Sequence, residues 1–558
     1  MFSQIWLRLK EMIRRMFGSN TIEQKLHIAP VISGKMENAI KEWSALYEGK
    51  APWVHEPTNT DPSRVVSLGL PAMIASEKAR TALIELKSEI TTPTEDVEVA
   101  NPNYKEPEPD ALGNVIPTME PKTITEARPK TNVKRAEFLN KQYKEKILKR
   151  LRVNVEYAIA KGGLVFKPYV ILNDMKSEGE DSSYPNAQIE CDFIQADRFY
   201  PLAYDANKRI TEAAFLQTKA DKDNVYRRLE YHKWENNTVT VMNMAFKSTN
   251  GNMDALNGVD LGQEIPLTDV PEWKDLKPKV TIKNVDCPLF AYFKMPEANT
   301  VDMDSPLGVS GYSRAIPLIK DADMQYSRLL WEYEGGELAI DVDRDALKLD
   351  IDANGKDRTV LTTLQQRLYR KVDISQTGET YFPYAPSLRD SSYIQGLNTI
   401  LMRIEDVCAI SRGTLSDAAQ EARTATELKI LKQRSYQANA DIQATLEDTL
   451  KEVVHIMNIY CDLYNITPSG EYDVNFEWDD SIIVDIDVEL NKRILLQQNG
   501  LASKVENRMW YFGETERQAT EALQKIDSEN MADMQNELTV RTNEINRTEE
   551  AKNNNNVE

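Results

Sequence analysis

The sequence predicts an α+β protein, and three observations carry that prediction. Residues 164–250 break into short runs rich in β-branched and aromatic residues, which is the signature of a β-meander. The stretches 305–333 and 381–464 instead carry apolar residues at spacings of three and four, the period of long amphipathic helices. No period of 20–50 residues repeats, which argues against a solenoid or propeller. A chain of 558 residues is too long for one hydrophobic core and divides into several structural units.

Charge and cysteine usage narrow the function classes. With 68 Lys+Arg against 88 Asp+Glu the net charge is −20, so the surface as a whole repels nucleic acid. Any contact with DNA must be local or weak. Cys191, Cys287, Cys408 and Cys461 lie far apart with no paired spacing, which indicates neither a disulfide framework nor a zinc site and fits a reducing cytoplasm. No apolar run approaches the roughly 18 residues of a membrane span.

The opening MFSQIWLRLKEMIRRMFG is interrupted by charge every few residues and does not read as a signal peptide. Ile5, Leu7, Ile13 and Phe17 make it a short basic amphipathic helix. Membrane-surface binding and docking against protein are both open to such a helix, and docking is the reading adopted. Residues 91–130 hold seven prolines, from Pro93 to Pro129, and read as an arm without regular structure.

A helix is expected over 132–160, with Leu139, Tyr143, Ile147, Leu151 and Val155 on one face and Gly162–Gly163 ending it. Its Lys141, Lys144, Lys146, Lys149, Arg150 and Arg152 form the densest basic run, either a solvated face or a patch for DNA. The meander then runs through LVFKPYVIL, AQIECDFI, EAAFLQT, VYRRLEYHKW and TVTVMNMAF, and PLFAYFKM at 288–295 adds a strand.

The helix at 309–334 buries a stripe through Ala315, Ile319, Ala322, Tyr326 and Leu329, while Arg314, Asp321 and Arg328 fall seven apart on the other side. At about 25 residues it would span ~37 Å. Pro317 is awkward inside it, so the straight segment is expected to begin later. Residues 335–386 read as a compact α/β insert with a short helix at TVLTTLQQRLY. Helical spacing returns with Ile394, Leu397, Leu401, Ile404 and Cys408, breaks at Arg412-Gly413, and resumes in the longest helix. That helix opens on the capping box Thr424-Ala425-Thr426-Glu427 and runs about 40 residues, or ~60 Å. VNFEWDDSIIVDID alternates as a strand expected to return to the meander sheet, three helices follow over 488–545, and NRTEEAKNNNNVE is a polar tail.

Enzyme chemistry is not announced. No phosphate loop occurs, since Gly355-Lys356 and Gly49-Lys50 lack the upstream Gly and the following hydroxyl. His27, His55, His232 and His455 never share metal-ligand spacing, and Glu452-x-x-His455 has no second copy to complete a di-iron site. Asp350-x-Asp352-x-Asn354-Gly355 imitates the start of a calcium loop but has Leu361 where a bidentate Glu is needed, and is read as a polar turn. Glu405-Asp406 and Asp479-Asp480 are neighbours whose side chains point apart, which argues against catalytic pairing. The reading is therefore a non-enzyme with no cofactor and no metal.

Three phrases go further. SPLGVSGYSRAIPLIKDADMQYSRLLWEYE at 305–334, YFPYAPSLRD at 381–390 and RGTLSDAAQEARTATE at 412–427 resemble the portal proteins of tailed bacteriophages, in particular long-tailed phages of Gram-positive hosts. YDVNFEWDDSIIVD at 472–485 and GLASKVENRMWYFGE at 500–514 continue the likeness. The resemblance implies a portal fold. Residues 1–90 would be a helical part of the wing, 91–130 the arm, 131–304 the wing, 305–334 the first stem helix and 335–386 the clip. Residues 387–411 would be the second stem helix, 412–424 the tunnel loop, 425–488 the wing's long helix and strand, 489–545 the crown and 546–558 a disordered tail.

It also implies a dodecameric ring at one capsid vertex of the virion, assembled in the host cytoplasm. Its partners would be the major capsid protein, scaffolding protein, the terminase large subunit and a head-completion adaptor protein, with double-stranded DNA passing weakly and without sequence preference, and no membrane. Arg314, Asp321 and Arg328 on the stem and Arg412, Gly413, Ser416 and Arg423 in the loop would line the channel. Whether the Arg314–Arg328 stripe faces a lumen or solvent stays open on sequence. Two rivals remain: a helical virion scaffold without a DNA channel, and a DNA-processing enzyme using acidic side chains and Mg²⁺.

Overall fold

The computed structural model describes residues 34–58, 63–84, 86–101, 123–172, 187–221, 224–248, 261–343, 350–351, 357–358, 369–372, 381–417, 425–478, 486–528 and 531. The chain divides into two compact units, Met1–Glu477 and Trp478–Glu558. The amphipathic opening, the calcium-loop imitation with its Leu361, the short helix at 359–369, the Thr424 capping box, Asp479-Asp480 and the polar tail lie wholly or largely outside the described residues.

The first unit opens with α1 (Gly34–Tyr47) and α2 (Leu70–Leu83). Met36, Ile40, Trp43 and Leu46 repeat every three or four residues, so one face of α1 is buried. β1 (Leu86–Thr91) and the hairpin of β2 (Thr94–Ala100) with β3 (Thr123–Pro129) follow. This hairpin corrects the expectation of an arm without regular structure. Pro93 and Pro129 sit at its mouth and the other five prolines fall at 102–121, so Thr94–Ala100 and 123–128 are free of proline and lose no ladder N–H before the terminal Pro129.

The helix expected over 132–160 is three pieces: α3 (Lys134–Gln142), a π-helical turn at Tyr143–Leu148, and α4 (Lys149–Lys161). Sequence spacing explains the interruption. Leu139, Tyr143, Ile147, Leu151 and Val155 are four apart throughout, and all are buried. Each step of four in a regular α-helix rotates the side chain by about 40° away from its predecessor, so the stripe would drift off the core. A wider π-turn in the middle cancels that drift. Gly162, at φ 89°, then ends α4.

The meander divides between two sheets, contrary to the single sheet expected. β4 (Gly163–Ile171) lies between β5 (Gln188–Gln195) and β12 (Ala291–Lys294). β6 (Phe199–Tyr204), β7 (Ile210–Asp221), β8 (Asn224–Glu235), β9 (Thr238–Ser248) and β10 (Gln263–Ile265) form a second antiparallel sheet, with β11 (Lys279–Lys283) also on β9. A two-residue turn at Asn236-Asn237, with φ 51° and 53°, closes β8 onto β9, because a type I′ turn needs two residues tolerant of the left-handed region. Tyr200, Leu216, Leu229, Phe246 and Leu261 form a core on this sheet.

Charge is buried there as well. Glu230 accepts from Lys167 Nζ at 2.6 Å, Arg228 at 2.9 Å and His232 Nε2 at 2.8 Å. Burial alone would raise its carboxyl, but Lys167, His232 and Arg228 together outweigh that and hold it well below the usual carboxylate range. Burial lowers His232, which stays neutral.

The chain then enters α5 (Ile316–Gly335) through a 3₁₀ turn at Ser313–Ala315. Pro317 therefore sits in the first helical turn, where its missing N–H would have no partner anyway, and it does not kink the helix. α6 (Asp390–Val407) returns beside α5. Glu332 near the end of α5 holds Arg389 at the start of α6 through bonds of 2.7 and 3.1 Å, and Gln325 Nε2 reaches Tyr393 O at 3.5 Å, so the two helices run antiparallel. Between them β13 (Ala339–Asp343) lies parallel to a strand at Tyr369–Val372 and antiparallel to one at Tyr381–Tyr384.

The longest helix, α7 (Ala425–Leu463), packs across β4 and β12 with Ile442, Leu446, Leu450, Val453 and Met457 buried, as the apolar period predicts. The following strand, Asp473–Trp478, pairs with β1 and not with the meander sheet. Its expected destination is thus corrected. Alternation shows that one face is buried but not which edge receives the strand.

In the second unit, α8 (Ile486–Gln498) and α9 (Lys504–Phe512) are joined through Gly500, and a third helix begins at 516 after Gly513. Ser503 Oγ accepts from Glu506 N at 3.0 Å while the Glu506 side chain accepts from Ser503 N at 2.8 Å, a full capping box. The Arg493 guanidinium lies 4.4 Å from the Trp510 ring, tying α8 to α9.

Candidate functional site

The α5/α6 hairpin and the segment that leaves it carry the sequence-predicted site residues. On α5 the buried stripe runs through Ile319, Ala322 and Leu329. Arg314, Asp321 and Arg328 are all exposed on the opposite side. Arg314 donates to Ala298 O at 3.3 Å, and it precedes α5. Trp331, 67% exposed, follows Arg328 by three residues and continues the outward face.

A second segment fastens to the inner side of α5. Asp323 is fully buried and accepts from Trp53 Nε1 at 2.9 Å and Leu68 N at 2.8 Å. Ser327 Oγ, one turn later, accepts from Val66 N at 2.9 Å. Burial raises the Asp323 carboxyl, and these donors offset only part of that cost. The helix is thus held against its own chain by its inner face, leaving the arginines outside.

After α6 the backbone turns through Ala409, at φ 53°, and Gly413, at φ 87°. A buried carboxylate organises the chain beyond this turn. Glu405 Oε1 accepts from Leu415 N at 2.6 Å and Ser416 N at 2.9 Å, and its Oε2 accepts from Ser416 Oγ at 2.7 Å. Asn398, two turns earlier on α6, exchanges bonds with the Asp417 backbone, the shorter at 2.7 Å. The base of the loop is therefore rigidly hung from α6.

Asp406 points the other way, to Arg412, which donates through Nε at 3.1 Å and a terminal nitrogen at 2.8 Å. Arg403 and Arg434 of α7 stand 3.8 and 3.9 Å from the same carboxylate. The bonds from Arg412, helped by the other arginines, hold Asp406 below its ordinary value. Three arginines against one carboxylate leave a positive surface at the loop base, since Arg403 and Arg434 are about 70% exposed.

Of the predicted loop residues, Arg412 and Gly413 are exposed. Ser416 is not: it is buried and its hydroxyl is held by Glu405. Within the single chain it anchors the loop to α6. Arg423 lies outside the described residues. Sequence reasoning missed Glu405 and Asn398 because each acts on backbone groups ten or more residues away. The one signal was the Glu405-Asp406 pair, whose side chains do point apart as neighbours on a helix must.

A family model described as phage portal protein, SPP1 Gp6-like, matches residues 39–536. The match spans the hairpin, the loop and most of both units, and the chain belongs to this family of phage portal proteins. No curated protein sequence matches the chain. The family is a structural one, built as oligomeric rings within phage capsids. No described helix is long and apolar enough to cross a membrane.

Proposed function

We propose that the chain forms a dodecameric ring at one capsid vertex, and that the ring is the channel for genome packaging and ejection. The observation that supports this most is the α5/α6 hairpin, one face packed on its own chain and the other carrying Arg314, Asp321 and Arg328 in the open. α5 and α6 are the stem, 335–386 the clip and 412–424 the tunnel loop. The terminase large subunit docks during packaging and a head-completion adaptor afterwards, while the major capsid protein and scaffolding protein embed the ring.

A conduit must touch DNA weakly, because each phosphate neutralised by Lys or Arg adds affinity and hence drag. Alternating signs on the outward stripe of α5 keep its net charge low. The arginines around Asp406 add a second weak contact where the tunnel loop begins. On this reading Arg314, Asp321, Arg328, Arg412, Gly413 and Arg423 face the channel and Ser416 holds the loop from behind.

Native mass spectrometry, with class averages from negative stain, tests the assembly. A single closed ring with an axial opening is the expected result, and a stable monomer across a wide range of salt and concentration defeats the proposal. Duplex binding followed by fluorescence anisotropy tests the channel. Binding should be weak, indifferent to sequence and quick to fade with salt, and weaker still in an Arg314→Ala, Arg328→Ala double variant. Tight sequence-selective binding at physiological salt contradicts a passive conduit.

A further inference from the structure

Away from the hairpin, three side chains of metal-ligand chemistry converge between the sheets and the longest helix. Asp286 and Cys287 lie in the turn between β11 and β12, and His455 lies on α7, 168 residues further on. One ligand atom from each comes within 4.8 Å of the other two. His455 Nε2 donates to Asp286 Oδ1 at 2.9 Å and also lies 3.1 Å from Oδ2.

The site is held from both sides. Val285 N donates to Asn237 O at 3.0 Å, and Trp234 Nε1 donates to Val285 O at 3.0 Å, so the β8–β9 hairpin fixes the turn that carries Asp286 and Cys287. Cys287 is buried, whereas His455 is 41% and Asp286 67% exposed, which leaves an approach from solvent. Behind the imidazole, Tyr472 Oη lies 3.5 Å from His455 Nδ1. A slight approach would make this hydroxyl the outer partner that holds the tautomer of a metal-bound histidine.

We propose that Asp286, Cys287 and His455 form a binding site for a borderline-soft divalent cation, of which zinc is the natural occupant, clamping α7 to the sheet. Thiolate, imidazole and carboxylate are the three donor types zinc accepts, and one Cys and one Asp neutralise its charge. On binding, the Cys287 proton leaves to solvent. The proton on His455 Nε2 reappears on Nδ1, where it faces Tyr472 Oη. Zinc would draw the His455–Asp286 pair from hydrogen-bond contact to the wider separation of two ligands about 2.0–2.2 Å from one ion, a small movement for two exposed side chains. Water takes the fourth position, since Glu452, one turn before His455, is paired with Arg209.

The test uses the untagged full chain, stripped by chelator and titrated with Co²⁺ as a visible substitute for zinc. A thiolate-to-cobalt charge-transfer band should grow to one ion per chain and vanish when an equal amount of Zn²⁺ is added. Cys287→Ser should abolish the band. His455→Gln, on an exposed side chain that does not threaten folding, should weaken binding at least tenfold, and Tyr472→Phe should keep the band with a smaller loss of affinity. Zn²⁺ should raise the Tm of the unaltered chain and not that of His455→Gln. The proposal is overturned if no band forms, if the band survives Cys287→Ser, or if His455→Gln binds as tightly as the unaltered chain.

Discussion

The six-stranded sheet and the α5/α6 hairpin solve the same problem in opposite ways. The sheet closes its chemistry inside one chain: apolar faces meet in a shared core, and even the buried carboxylate of Glu230 finds Lys167, Arg228 and His232 within 2.9 Å. The hairpin closes only half. It buries Ile319, Ala322 and Ile404 but leaves Trp331, Tyr333, Ile394 and Val407 exposed. A region complete in itself is a foundation, and a region left half-covered keeps apolar surface that a partner could cover.

The contrast is broken most forcefully at Glu230. Glu230→Gln strands Lys167 and Arg228 beside a neutral group, and unfolding in urea should show a loss of about 3–5 kcal/mol. A loss below 1 kcal/mol would mean water already relieves these charges. Next comes acid. Glu230 is held below its ordinary value, so its contribution is present above the ordinary Glu range and disappears as pH falls through the depressed value. His232 is also lowered, so the unfolded chain takes up its proton first and stability declines as pH falls below the ordinary His value of about 6.5. Circular dichroism melts between pH 7 and pH 4 should therefore fall steadily, and less steeply in His232→Gln.

Smaller effects sharpen the other side. Glu405→Gln keeps the shape of the side chain but weakens three hydrogen bonds and adds a donor where only donors face it, costing about 1–3 kcal/mol. Proteolysis at 412–424 should quicken while the sheet core keeps its protection from hydrogen exchange. Least costly to the single chain is Ile394→Ser, expected to change its stability by no more than about 0.5 kcal/mol. Its effect should appear instead in ring formation by native mass spectrometry. Equal losses of stability at Ile394 and in the sheet core would erase the distinction between the two regions.

How much of this was readable in sequence differs by the range of the interaction. Apolar periods are local, so α7 falls where the spacing predicts, while α5 runs over 316–335 and not 309–334, its start set by Pro317 in the first turn. The strands of the meander were readable one by one, but their division into two sheets depends on which edges meet, and so does the pairing of Asp473–Trp478 with β1. Proline count hid the β2–β3 hairpin because composition averages over position, whereas strand pairing depends on which N–H groups are missing. In the candidate site the exposed face of α5 follows from its period. The Glu405 bonds to Leu415 and Ser416 join backbone to side chain across a turn, and no residue type announces that.

The phrase SPLGVSGYSR, which stands out in the sequence, has a physical basis in the end of α4. Gly162 and Gly308 cross so closely that a Cβ on Gly162 would lie 2.7 Å from Gly308 O, and one on Gly308 would lie 2.1 Å from Gly162 O. Met295 N donates to Gly162 O at 3.2 Å, and Gly311 N donates to Ile159 O at 2.8 Å beside the same crossing. The two glycines are therefore bound by one steric constraint. A side chain at either would press on the other's backbone and no second change can compensate by adding atoms, while Gly163 and Gly311 beside the crossing are tight as well, their Cβ positions 2.4 Å from Tyr292 and 2.9 Å from Ile159.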